Sequence, residues 1–124
     1  REPLKGETAI CPVPPDTPVF ITSPRRCVES MIKAASISSE ALQDNRIIPL
    51  PGLTVTVKQM LEALEKVAGK QATDLVQWQE DKMIQRIVQS WPVQVKAEYA
   101  ESLGFQADEN FESIIQAHIE DTQN

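Results

Sequence analysis

Apolar positions in this 124-residue chain follow two different periods. In several long stretches they recur every three or four residues, as on one face of a helix. In shorter stretches between these they alternate with polar residues or run together, as in strands.

Val28, Met31, Ile32 and Ala35 form the first helical stripe. Ser23 stands just ahead as an N-cap, and Pro24 suits the first helical position, where no N–H is needed. Thr56 and Gln59 have capping-box spacing before a second stripe of Val57, Met60, Leu61, Leu64 and Val67. Gly69 sits where a left-handed cap residue is needed. Glu80 and Asp81 open a third helix with Met83, Ile84, Ile87, Val88 and Trp91 on its inner face, and Pro92 stops it. Residues 94–103 read as a short helix ending at Gly104, with Phe105 folding back on it. Asp108 is expected to cap the last helix, whose stripe is Phe111, Ile114, Ile115 and Ile119. The tail from Asp121 is expected to fray.

The strand signals are shorter. Six of the nine prolines lie in the first 24 residues, which argues against helix there. Residues 7–13 alternate as an edge strand, and Val19 to Thr22 follow as a second after the Pro14-to-Pro18 turn. Ile47 to Leu50 and Leu75 to Trp78 read as two more, with a polar loop from Ser36 to Asn45. The predicted fold class is α/β with an α+β-like arrangement: a small sheet of about four short strands with about five helices. Such a sheet is small for this much helix. Some apolar helix face therefore needs a partner outside the chain, and the helices after Ser23 and up to Trp91 are expected to expose it.

Composition narrows the partners. Twelve basic against eighteen acidic residues give a net charge of −6, and no basic run exceeds Arg25-Arg26. Phosphate backbones and anionic membranes attract dense Lys/Arg patches, so nucleic acid and membrane are excluded as partners. No apolar run approaches the roughly 20 residues that span a bilayer. Cys11 and Cys27 are too few for a disulfide framework and read as free thiols in a reducing cytoplasm.

Most catalytic constellations lack their residues. One His and two Cys do not make a metal site. His118 lies beside the last apolar stripe, where packing is the plainer role. Gly6, Gly52, Gly69 and Gly104 are scattered, so no phosphate cradle or dinucleotide loop exists. No Tyr-x-x-x-Lys is present, and no catalytic, cofactor-binding or metal-binding residue is assigned. Trp78 and Trp91 are open between stacking on a sugar and packing. One segment is chemically suggestive: Thr22-Ser23-Pro24-Arg25-Arg26, where a strand hands over to a helix. Hydroxyls, free backbone N–H groups and a guanidinium suit a carboxylate, a phosphate or a sugar hydroxyl. Ordinary capping by Ser23, with the arginines solvated or paired to acids such as Glu29, accounts for the same residues.

Taken in order, three stretches carry a resemblance. They are Val19-Phe20-Ile21-Thr22-Ser23-Pro24-Arg25 with its helix, Arg46-Ile47-Ile48-Pro49-Leu50-Pro51-Gly52 with the helix to Gly69, and Lys96-Ala97-Glu98-Tyr99-Ala100-Glu101-Ser102-Leu103-Gly104-Phe105 with the last helix. The chain resembles the C-terminal, substrate-binding portion of an extended short-chain dehydrogenase/reductase, in the NAD-dependent epimerase/dehydratase family. Cys11-Pro12-Val13-Pro14-Pro15-Asp16 and Pro49-Leu50-Pro51-Gly52 further resemble its D-erythronate dehydrogenase-like branch, which oxidises small sugar acids with NAD. The resemblance implies a Rossmann-type fold whose N-terminal NAD-binding half, with its Gly-rich loop and Tyr/Lys pair, is absent here.

By that resemblance residues 1–124 are the substrate-binding portion of a cytoplasmic oxidoreductase. The chain alone is expected to hold no cofactor and to be inactive, with NAD implied for the intact enzyme. Ser23, Arg25 and Thr22 are the expected substrate contacts: Arg25 for the acid group, Ser23 to orient it. Many family members carry an acidic pair at this junction, and its replacement here fits a small anion better than a nucleotide sugar. A nucleoside-diphosphate-sugar epimerase/dehydratase portion and a stand-alone non-catalytic module are the alternatives. The expected partners are the missing NAD-binding half, a sugar-acid or nucleotide-sugar substrate, and a second copy in a homo-oligomer.

Overall fold

The computed structural model describes residues 1–122. Local capping chemistry starts three of its helices where the sequence places them. Ser23 is extended, and its hydroxyl accepts the Arg26 N–H at 3.0 Å, so α1 (Pro24–Ser36) starts at Pro24. Thr56 and Gln59 form the reciprocal capping box of α3 (Val57–Ala68), at 3.2 and 2.9 Å. Asp81 Oδ1 accepts from the N–H groups of Met83 and Ile84 and opens α5 (Lys82–Gln89).

The expected polar loop contains a one-turn helix, α2 (Ser39–Leu42), capped by Ser38. Gly69 has a positive φ of 81°, but its ψ of 168° is extended, and the chain passes straight into the one-turn α4 (Lys70–Thr73). The helix expected over 94–103 is confined to α6 (Glu98–Ser102). β-Branched Val93 and Val95 disfavour helix ahead of it, and the Val93 carbonyl accepts the Thr54 hydroxyl instead. Gly104, at φ 88°, closes α6. The Phe105 N–H then returns to the Ala100 carbonyl at 3.0 Å, and Phe105 is buried.

Strands form two pairs rather than one sheet. β1 (Ala9–Cys11) runs parallel to β4 (Val76–Trp78), pairing Ala9 with Val76 and Cys11 with Trp78. β2 (Pro18–Ile21) runs antiparallel to β3 (Leu53–Thr56), pairing Pro18 with Thr56 and Ile21 with Leu53. The strand expected at Ile47 to Leu50 thus lies instead at Leu53–Thr56. Pro49 and Pro51 have no N–H to give a ladder. Gly52 sets the start: a Cβ there would stand 2.6 Å from the Ile21 carbonyl oxygen and 2.7 Å from the Phe20 ring. Only after this close approach can the chain pair with β2.

The last helix, α7 (Phe111–Thr122), packs along α3. Its cap is Asn110, whose Oδ1 accepts the Ser113 N–H at 2.8 Å, and not the expected Asp108. The helix includes Asp121 and Thr122; the rest of the tail expected to fray lies outside the described residues. A small core of Ala97, Ala100 and Phe105 gathers Ile37, Ile48, Leu50 and Leu103.

α1 is turned inside out. It buries Ser30, whose hydroxyl donates to the Arg26 carbonyl, while Val28, Met31 and Ile32 are 54–68% exposed. On α5, Met83 and Ile87 are likewise exposed, and Trp91 beyond it is too. The accessible surface is 8620 Å². A folded monomer of 13.8 kDa is expected to show about 6,600 Å².

Candidate functional site

Only Thr22 and Ser23 separate β2 from α1. Such a strand-to-helix junction leaves backbone N–H groups unpaired and positive dipole at the helix start. Here the protein's own Asp108 fills that place. Its Oδ2 accepts the Ser23 N–H at 2.8 Å and the Thr22 hydroxyl at 3.5 Å, and its Oδ1 accepts the Ser23 hydroxyl at 2.6 Å. Ser23 is 2% exposed, with its hydroxyl both donating to Asp108 and accepting from Arg26. Thr22 and Arg25 stand exposed on either side.

Arg25 reaches the last turn of α7. Both terminal guanidinium nitrogens donate to Glu120 Oε2 at 3.1 Å, and Nη2 also donates to Asp121 Oδ1 at 2.6 Å and to the Ala117 carbonyl at 3.4 Å. The hydrogen bond from Arg25 holds the Asp121 carboxyl below its ordinary range. The same bond, with that to Glu120, raises the guanidinium pKa. Arg26 is half-buried and pairs with Glu29 at 2.8 Å, one of the two roles expected for it, and also donates to Gln106. These groups line a cavity of about 150 Å³, bounded by Ser23, Arg25, Arg26, Glu29, Asp108 and Ser113.

The three residues singled out in the sequence therefore share one junction, in different roles. Ser23 is a buried pin; Thr22 and Arg25 face outward. Asp108, Glu120 and Asp121 are the site residues that sequence reasoning read otherwise. Asp108 looked like a helix cap, and the Asp108-Glu109-Asn110 run offers two residues that cap equally well. Glu120 and Asp121 stand at the end of the last apolar stripe, where the sequence suggests only a fraying tail from Asp121. At a helix C-terminus, however, carboxylates oppose the dipole, and that mismatch was the available signal for a basic partner.

Trp78 and Trp91 are about half exposed, so neither belongs to the core. Cys11 and Cys27 are free and half-buried. No helix among the described residues is long and apolar enough to cross a membrane. The four glycines stand at four separate places along the chain, whereas a dinucleotide pyrophosphate needs several in one turn. The residues present do not fit an NAD site.

No protein-family model matches the chain. It is 43% identical over 121 residues to D-erythronate dehydrogenase of Cupriavidus necator, and 41% identical over 120 residues to that of Haemophilus influenzae. These alignments take in 98% and 97% of this chain but only 37% and 38% of the relatives, so the chain spans little more than a third of their length. The crystal structure of a nucleoside-diphosphate-sugar epimerase from Agrobacterium tumefaciens superposes with a TM-score of 0.95 at 41% identity, over 99% of this chain and 36% of that one. L-threonine 3-dehydrogenase from Trypanosoma brucei shares the fold at 18% identity, with a TM-score of 0.77 over 92% of this chain and 35% of that one. Over almost its whole length the chain is thus similar in sequence to a little more than a third of D-erythronate dehydrogenase, and similar in sequence and fold to about a third of a nucleoside-diphosphate-sugar epimerase.

Proposed function

We propose that this chain is the substrate-side part of an NAD-dependent oxidoreductase acting on a small sugar acid of the D-erythronate kind, and that it is inactive alone. The observation that carries the reading is the identity of 43% and 41% to two D-erythronate dehydrogenases over almost the whole chain. NAD belongs on the part of the enzyme not represented in these residues. That part docks on the outward apolar face of α1, where Val28, Met31 and Ile32 otherwise meet water. The setting is the cytoplasm, with Cys11 and Cys27 reduced.

In this reading Thr22 and Arg25 touch the substrate, and Ser23 orients them from behind. Arg25 takes the acid group, since a planar guanidinium matches a carboxylate in a bidentate pair. It is already paired with Glu120 and Asp121, so the substrate carboxylate displaces at least one of them. The test is steady-state kinetics of the full-length protein with a panel of small sugar acids, following NADH. Arg25→Ala is expected to raise the Michaelis constant by about 10- to 100-fold, the scale of one charge-assisted hydrogen bond. An unchanged constant would sink the assignment of Arg25.

The likeness to the Agrobacterium epimerase, at a TM-score of 0.95, favours a second reading: the same portion of an enzyme acting on nucleoside-diphosphate sugars. Turnover of a nucleotide sugar, with no oxidation of sugar acids, selects it. A stand-alone non-catalytic module is selected instead if the full-length protein turns over neither.

A further inference from the structure

We infer that Asp108 is the positioning residue of the substrate edge: its carboxylate fixes the two-residue β2–α1 junction and thereby aims Thr22 and Arg25. The inference rests on the reading of that junction as the substrate edge.

Both oxygens of Asp108 are engaged. One holds the Ser23 hydroxyl at 2.6 Å; the other holds the Ser23 N–H at 2.8 Å and meets the Thr22 hydroxyl at 3.5 Å. Ser23 in turn holds the Arg26 N–H, so a single carboxylate fixes the last linker residue and the first turn of α1 together. Pro24 removes one donor from that turn, which leaves few other ways to tie it down. Ser23 is 2% exposed and turned away from solvent, so its part is to hold and not to touch. A negative group at a helix N-terminus is also favoured by the dipole. Asp108 comes from the segment before α7, and Arg25 is bound to the end of α7. The α7 helix and the segment leading into it thus grip the junction at one point each.

The carboxylate is matched to its donors in a way an amide is not. Asparagine offers one accepting oxygen, so it satisfies either the Ser23 N–H or the Ser23 hydroxyl and meets the other with an NH₂ group.

The test uses the full-length protein with its sugar acid and NAD. Asp108→Ala is expected to raise the Michaelis constant for the sugar acid about tenfold, the scale of one lost charge-assisted bond. The constant for NAD should change less than about twofold. Asp108→Asn should fall between wild type and Asp108→Ala, and it carries the test if the alanine variant does not fold. Ser23→Ala should raise the constant less in an Asp108→Ala background than in the wild type, because the hydroxyl–carboxylate contact is already gone there and only the α1 cap remains to be lost. Asn110→Ala, which strips the α7 cap alone, should lower the melting temperature and leave both constants unchanged. The inference is overturned if the Asp108 variants keep the wild-type constant for the sugar acid. It is equally overturned if both constants rise together, as general loosening would make them. A wild type that oxidises no sugar acid overturns the functional reading, and this inference with it.

Discussion

Glu120 and Asp121 occupy the C-terminal turn of α7, where the helix dipole disfavours negative charge, and Arg25 is the group that compensates them. The hydrogen bond from Arg25 lowers the Asp121 pKa. A carboxyl whose folded pKa lies below its unfolded value adds stability that is complete above the unfolded pKa, about 3.9. That contribution is lost as pH falls through the folded value. The α7 end is therefore expected to stay tied at neutral pH and to loosen only below about pH 4. Asp121→Asn should remove that acid-dependent step in amide exchange over residues 117–122. Because both partners sit in water, the effect is small and shrinks further in high salt. The same variant tests Arg25 a second way. If the guanidinium must leave Asp121 to take a substrate, Asp121→Asn lowers the Michaelis constant by a few-fold. If Arg25 only ties helices together, the constant does not move.

At the scale of elements, legibility in the sequence followed distance along the chain. Caps act within three residues, so Ser23, Thr56 with Gln59, and Asp81 each marked a helix start that the structure has. The strand placed at Ile47 to Leu50 failed because apolar character alone was weighed against two prolines that give no N–H. Its place at Leu53–Thr56 depends on Gly52 passing close to Phe20 and Ile21, a contact set by the other strand. Asp108 was misread for the same reason. Its partners Thr22 and Ser23 lie at the far end of the chain, and nothing local separates a cap from a clasp. The α1 stripe was legible as a stripe, and the shortage of sheet implied that it faces outward. Which polar residues turn inward, Ser30 above all, was not legible.

The whole molecule shows about 2,000 Å² more surface than a folded monomer of its mass needs. Part of the excess is apolar side chain on α1 and α5, where Val28, Met31, Ile32, Met83 and Ile87 are exposed. Fully burying one such side chain is worth about 1.5–3 kcal/mol, so a partner for this face stabilises the chain substantially. Expressed by itself, the chain is expected to self-associate as its concentration rises, measured by analytical ultracentrifugation. Ile32→Lys should weaken that association. In the full-length protein the same substitution should lower the melting temperature, because the face is then covered. A strictly monomeric wild-type chain at high concentration would argue against the uncovered face.

The parallel pairing of β1 with β4 also governs when the chain can become ordered. It joins residue 9 to residue 76, across more than half of the sequence, whereas β2 and β3 join within one short excursion through α1 and α2. Closing the longer loop costs more chain entropy before any ladder bond forms. Pulse-labelled hydrogen exchange is expected to protect the β2–β3 pair and α3 first and the β1–β4 pair last. During synthesis, the first strand must wait on the ribosome-emerging chain until residue 78 is free. In that interval the unpaired edge of β1 is open to any other strand, so a chain halted before residue 78 is expected to aggregate more readily than one that has passed it.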